Sequence, residues 1–195
     1  MPNQGKTDRR VLYTKMFLKE SLLELMKEQS IDKITPTELC RKANINRNTF
    51  YTHYYTPRDV LAEIEADFST QILETLRSKF TFADIDISQM LKEICEIIYA
   101  QKEFCKVLLS ENGDAAFLEA TINTGKMVFM DEWRSAGVDL DEDEMEMFFA
   151  FIVNGCIALV RKWAATDMRD PPERVAILIE RVVYGGINGM AAAKK

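Results

Sequence analysis

Residues 34–55, ITPTELCRKANINRNTFYTHYY, constrain this chain more than any other stretch. Thr35 and Glu38 are spaced as a capping box, with Pro36 at the first helical position. A threonine hydroxyl can accept from the backbone N–H three residues on, and the glutamate can reach back to the N–H of the cap. That spacing predicts a short helix to about residue 43, with Leu39, Cys40 and Ala43 on its buried face. Asn44 stands where the chain must turn, and asparagine tolerates the left-handed conformation better than most residues. Ile45 plugs the turn, and Asn46 is a good N-cap for a second short helix from 47 to 53 or 54. Two short helices joined by a tight turn form a helix-turn-helix.

The second helix carries Arg47, Asn48, Thr49, Tyr51, Thr52 and His53 beside its two core anchors, Phe50 and Tyr54. Arginine and asparagine match base edges, while threonine, tyrosine and histidine suit phosphates and thymine methyls. Arg47 is the candidate guanine contact, Asn48 the candidate adenine contact, and Tyr51 suits a thymine methyl or a phosphate. The plainer reading is a solvated helix with polar filler. The caps, the turn residue and the aromatic cluster occurring together favour the nucleic-acid reading.

Charge is distributed to match. Residues 1–58 carry 11 Lys/Arg against 6 Asp/Glu, and residues 59–195 carry 14 against 25, so the net −6 divides into +5 and −11. A basic module on an acidic body fits nucleic-acid binding at one end, and the body would repel DNA in other orientations. A chain of 195 residues can bury roughly 70% of its unfolded surface. No signal peptide opens it, and no apolar run approaches the ~20 residues of a membrane span. Cys40, Cys95, Cys105 and Cys156 lack CxxC spacing, and the chain has one histidine. A zinc site is therefore not expected, and the thiols read as reduced and mostly buried, with a redox-sensing pair as the alternative.

Helical periodicity runs through the rest. Residues 8–28 form the first helix, with Leu18, Leu22, Leu25 and Met26 on one face. Thr56-Pro57-Arg58-Asp59 repeats the start signal and opens a long helix over 57–78. A loop over 80–87, with Asp84 and Asp86, precedes a helix from Ser88, a break near 101–103 and a short helix over 104–109. Asn112-Gly113 is a turn, Asp114 caps a helix to about 135 with Gly125 inside it, and Ala136-Gly137 ends that helix. Asp141 and Glu144 form another capping box, opening a helix over 143–165, and Asp170-Pro171-Pro172-Glu173 starts the last, whose end Gly185, Gly186 and Gly189 weaken. These final two helices are apolar around more than one face. Such helices are buried on both sides, which suggests a homodimeric four-helix bundle. Phe148, Phe151, Ile152, Leu159, Ile179 and Val183 are the candidate interface; the alternative is that both helices are central in the monomer.

From about residue 14 to 61 the sequence resembles the tetracycline-repressor-like (TetR) family of bacterial transcription regulators. The residues that carry the resemblance are Ile34-Thr35, Leu39-Cys40, Ala43-Asn44-Ile45-Asn46 and Thr49-Phe50-Tyr51-Thr52-His53-Tyr54. The family usually has glycine at the Asn44 turn, and often lysine at the Pro57 position, where it contacts phosphate; Arg58 or Tyr55 would take that part here. Thr37, Thr52 and His53 resemble family phosphate contacts, and His53 could equally only pack at the helix end. A weaker resemblance to a C-terminal domain of one TetR branch rests on residues 133–138, Asn154-Gly155 and Arg161-Lys162-Trp163. The resemblance also supports the dimer and implies control by a small-molecule effector in the body. Candidate lining residues are Tyr99, Phe104, Cys105, Phe117, Met127, Met130 and Trp133, since Met and aromatic side chains suit adaptable apolar pockets. Plain core packing is the competing reading for each.

The resulting expectation is an all-α chain of about nine helices. A three-helix helix-turn-helix domain spans 1–57, and a helical regulatory and dimerisation domain spans 58–195. Its function is that of a cytoplasmic, ligand-responsive repressor, a homodimer on double-stranded, pseudo-palindromic DNA. No catalytic residues, cofactor, metal or membrane partner is expected, because there is no Gly-rich phosphate loop and no Ser/His/Asp arrangement. The alternative is a dimer acting through a protein partner, with the helix-turn-helix as scaffold.

Overall fold

The computed structural model describes the backbone of residues 4–79, 87–135 and 141–192, and the side chains of 9–78, 88–131, 134–135 and 141–183. Every regular element among them is helical: α1 (Gln4–Met26), a 3₁₀ turn (Ile31–Lys33), α2 (Pro36–Ala43), α3 (Arg47–Tyr51), α4 (Pro57–Lys79), α5 (Ile87–Ala100), α6 (Lys102–Leu108), α7 (Ala115–Ser135), α8 (Glu142–Ala165) and α9 (Pro172–Ala192). The expected loop with Asp84 and Asp86 and the Ala136-Gly137 stop lie largely or wholly outside the described residues. The chain forms two compact units. One comprises Met1–Asp67 with Val107–Asp114, and the other Phe68–Lys106 with Ala115–Lys195.

The first unit, the head, closes on a core from all four of its helices. Leu18, Leu22 and Met26 of α1, Leu39 and Cys40 of α2, Phe50 of α3 and Val60, Leu61 and Ile64 of α4 are buried, with Ile31, Ile34 and Tyr54 between the helices. Polar ties fix α1 to α4. Lys15 donates to Glu63 at 2.8 Å, Lys19 reaches Glu63 at 3.0 Å and Asp67 at 2.7 Å, and the Tyr54 hydroxyl donates to Glu63 at 2.9 Å. Gly113 sits against the end of α6: a Cβ there would lie 2.1 Å from the Leu108 carbonyl oxygen, so only glycine fits without a backbone shift.

In the second unit, α5 packs along α9. Leu76, Met90, Met130, Met145 and Phe149 form one buried cluster. Phe104 sits between Phe68 and Phe117, with ring centroids 5.3 and 6.0 Å away. Trp163 stacks on Tyr99 at 5.9 Å and donates to the Asp170 carbonyl at 2.9 Å. The capping box at α8 is complete: the Glu144 N–H donates to Asp141 at 2.8 Å, and the Asp141 N–H donates to Glu144 at 3.1 Å. α9 continues as helix through Gly185, Gly186 and Gly189 to Ala192. All four cysteines are free thiols, with Cys40, Cys95 and Cys105 buried. Burial pushes the Cys95 and Cys105 thiols up to about 12.

Candidate nucleic-acid interface

The turn between α2 and α3 is built by local bonds. Thr35 accepts from the Glu38 N–H at 3.2 Å and starts α2. The return bond of the expected capping box is replaced, since Glu38 Oε1 accepts from Gln29 Nε2 at 2.9 Å and so ties α2 to the segment after α1. Asn44 ends α2 in the left-handed conformation, φ 54° and ψ 42°, and the Ile45 N–H closes back on the Cys40 carbonyl at 2.9 Å. Asn46 then caps α3, its Oδ1 accepting from the Asn48 N–H at 2.8 Å.

α3 is shorter than the sequence suggests. It ends at Tyr51, and Thr52 and His53 lie in the turn that follows. The Thr52 hydroxyl donates to the Thr49 carbonyl at 2.7 Å, a side-chain bond that competes with helix continuation. Phe50 is fully buried and edge-on to Tyr51, which fixes the rotation of α3 on the head. Arg47, Asn48, Tyr51 and Thr52 are thereby left exposed, with Thr37 exposed on α2 and Tyr55 exposed after the turn. Thr49 and His53 are half-buried. Arg47 Nη2 donates to the Tyr51 hydroxyl at 3.2 Å, one turn away, so the fork is held beside the phenol.

Arg58 is placed differently from the other candidates. Its guanidinium bridges Asp32 at 2.7 Å and Asp114 at 3.0 Å, both in the head. Asp114, the residue directly before α7, receives Arg58. The N-terminus of α4 is capped instead by its own residues: Asp59 accepts from the Tyr55 and Thr56 N–H groups, both at 2.8 Å, which hold its carboxyl below the usual range. Near Arg58 lies a group that sequence reasoning missed. Glu65 is half-buried, with Oε1 buried and, among the described residues, without a hydrogen-bond partner. Burial first, and the Asp114 charge second, push it up to about 7 against the pull of Arg58.

Among the described residues, the expected effector positions lie in different surroundings. Phe104 and Cys105 are core, Phe117 packs on Phe104, and Tyr99 is tied to Trp163. The Trp133 side chain lies outside the described residues. Met127 and Met130 do share a cavity of about 370 Å³ along α7 and α8, with Asn123, Lys126, Asp131, Arg134, Glu142 and Glu146. Lys126 pairs with Glu146 at 2.6 Å, and Arg134 pairs with Glu142.

Of the candidate interface residues, Phe151 is 71% exposed. Phe148, Ile152, Leu159 and Val183 are half-buried, and Ile179 is buried within the single chain. Met147 on α8 and Ile177, Leu178 and Val182 on α9 are exposed, and a Cβ on Gly155 would meet nothing. The sequence leads to no expectation of a membrane-length apolar stretch. α8 nevertheless contains an 18-residue window of mean hydropathy 1.5, long and apolar enough by composition to cross a membrane, of which only 11% is buried.

The family model for the transcriptional regulator C-terminal region of TetR type matches residues 86–185, just over half of the chain. The chain belongs to the TetR family of transcriptional regulators. Solved structures carry the same fold as this TetR-family protein. A TetR transcriptional regulator from Streptococcus agalactiae 2603V is 22% identical with a TM-score of 0.60, covering 93% of this chain and 99% of that one. The fatty acid degradation regulator FadR from Bacillus halodurans is 13% identical with a TM-score of 0.65, covering 89% and 95%. A Thermus thermophilus FadR, a transcriptional repressor in complex with lauroyl-CoA, is 16% identical with a TM-score of 0.52, covering 87% and 93%. No curated protein sequence matches the chain.

Proposed function

We propose that this TetR-family regulator is an effector-responsive repressor, a cytoplasmic homodimer whose two heads set α3 into successive major grooves of a pseudo-palindromic operator. The observation that carries the reading is the Asn44 turn, left-handed and doubly capped, which leaves Arg47, Asn48, Tyr51 and Thr52 exposed on a head whose core is otherwise closed. Arg47 reads guanine and Asn48 adenine, each pair contributing roughly 1–3 kcal/mol of discrimination. Thr37, Thr52, Tyr55 and His53 position the head on phosphates. The half-sites lie about one helical turn, or a multiple, apart.

The exposed apolar stripes of α8 and α9 support the dimer. Met147 and Phe151 stand one turn apart, as do Leu178 and Val182, and Gly155 leaves room for close approach. Pairing these helices with a second copy covers both stripes. The effector is a small amphipathic molecule held between α7 and α8. Met127 and Met130 supply adaptable apolar walls there, and ion-paired Lys126 and Arg134 supply polar ones. The lauroyl-CoA complex of the Thermus FadR is a precedent in a protein of the same fold. Such a ligand releases DNA only if it binds the non-DNA-binding state more tightly.

Salt dependence tests the DNA reading against a protein-partner role. A labelled duplex of mixed sequence is titrated with the purified chain between about 50 and 200 mM salt, where six to ten phosphate contacts cost roughly 10³-fold or more in affinity. A steep fall supports direct DNA binding, and a shallow one favours the partner role.

A further inference from the structure

α1 has two apolar faces, and the head uses only one. Leu18 and Leu22 point into the core. On the opposite side Leu12 is 67% exposed, Tyr13 55%, Met16 39% and Phe17 45%. At about 100° per residue, Arg9, Leu12, Tyr13, Met16, Phe17 and Glu20 fall on one stripe, about 17 Å long. Arg9 and Glu20 are exposed at its two ends, and among the described residues neither forms an ion pair. The basic residues that do pair with α4, Lys15 and Lys19, lie toward the core side.

The geometry points to a second copy of this chain as the occupant, docked through the same α1 face in antiparallel register. The charge order decides it. Related by a twofold axis midway between Thr14 and Lys15, Tyr13 of each copy meets Met16 of the other and Arg9 meets Glu20 along the middle of the stripe, with Leu12 and Phe17 along its two flanks. The stripe is therefore complementary to itself in both shape class and charge, which is what an isologous contact requires. Four apolar side chains cover a few hundred Å² per partner, well short of the ~800 Å² typical of a stable complex. The contact is weak between free molecules and becomes effective when neighbouring DNA sites hold two heads together at high local concentration. It couples dimers rather than making them, and it makes loading of adjacent sites cooperative.

Sedimentation of the full chain without DNA, over a wide concentration range, tests this. The wild type shows concentration-dependent association beyond its basal species. Phe17→Asp abolishes it while far-UV circular dichroism stays unchanged. Arg9→Glu and Glu20→Arg each weaken it about tenfold, because symmetry applies every reversed charge twice. The double reversal restores it. No association beyond the basal species, or a double reversal that behaves like the single ones, overturns the proposal. Repeating the series in a Phe151→Glu background removes the α8 face, so this contact and the proposed C-terminal dimer are read separately.

Discussion

Two carboxylates on one turn of α4 are pushed in opposite directions. Burial disfavours the charge on Glu63, but hydrogen bonds from Lys15, Lys19 and Tyr54 outweigh it and hold the group at about 2. Glu65 has burial and Asp114 against it and stands at about 7. The signs of their pH dependence follow. Glu63 stabilises the head above its unfolded value, near 4.5, and that contribution is lost as pH falls toward about 2. The contribution of Glu65 is complete below about 4.5 and is lost as pH rises through about 7. Glu65→Gln should therefore gain on the order of 1 kcal/mol at pH 8, allowing for solvent screening, and nothing at pH 4. Urea midpoints at the two pH values check it. Neither shift was legible in the sequence, because burial and the distant partners are set by the fold: Lys15 is 48 residues from Glu63, and Asp114 is 49 residues from Glu65. The caps at Thr35, Asn46 and Asp141 were legible because their bonds span two or three residues.

Element boundaries show the same division. The left-handed Asn44 turn follows from residue type, and the start of α8 from its capping box. The early end of α3 does not, since Thr52 turns its hydroxyl back on the chain rather than extending the helix. Glycines separate by surroundings that sequence does not show. Gly113→Ala drives a Cβ onto the Leu108 carbonyl and should cost about 2 kcal/mol or more. Gly125, inside α7, would place its Cβ 3.7 Å from Leu76 Cδ1, an ordinary contact. Gly125→Ala should be neutral or stabilise by up to about 1 kcal/mol. Thermal melts of the two variants should move in opposite directions, or the second not at all.

On the scale of the molecule, the all-helical fold and the family were readable from the N-terminal motif and the apolar C-terminal helices. Which stripes of α8 and α9 the chain itself covers was only partly readable. A helix apolar around most of its circumference does not reveal which stripe its own chain covers, so Ile179 proved internal and Leu178 and Val182 exposed. The candidate effector positions are ambiguous for a related reason, since Met and aromatic side chains suit both cores and pockets. Phe151→Glu should convert the protein to monomers by light scattering while leaving helix content intact, because Phe151 touches solvent in the single chain.

If α3 reads base sequence, selection from a random duplex pool reveals it. The purified protein and its Arg47→Ala variant are carried through parallel rounds at moderate salt. The wild type should recover a pseudo-palindrome with half-sites one helical turn or a multiple apart, and the variant should lose or relax one position in each half-site. No enrichment by the wild type, or the same palindrome recovered equally by both, would contradict it.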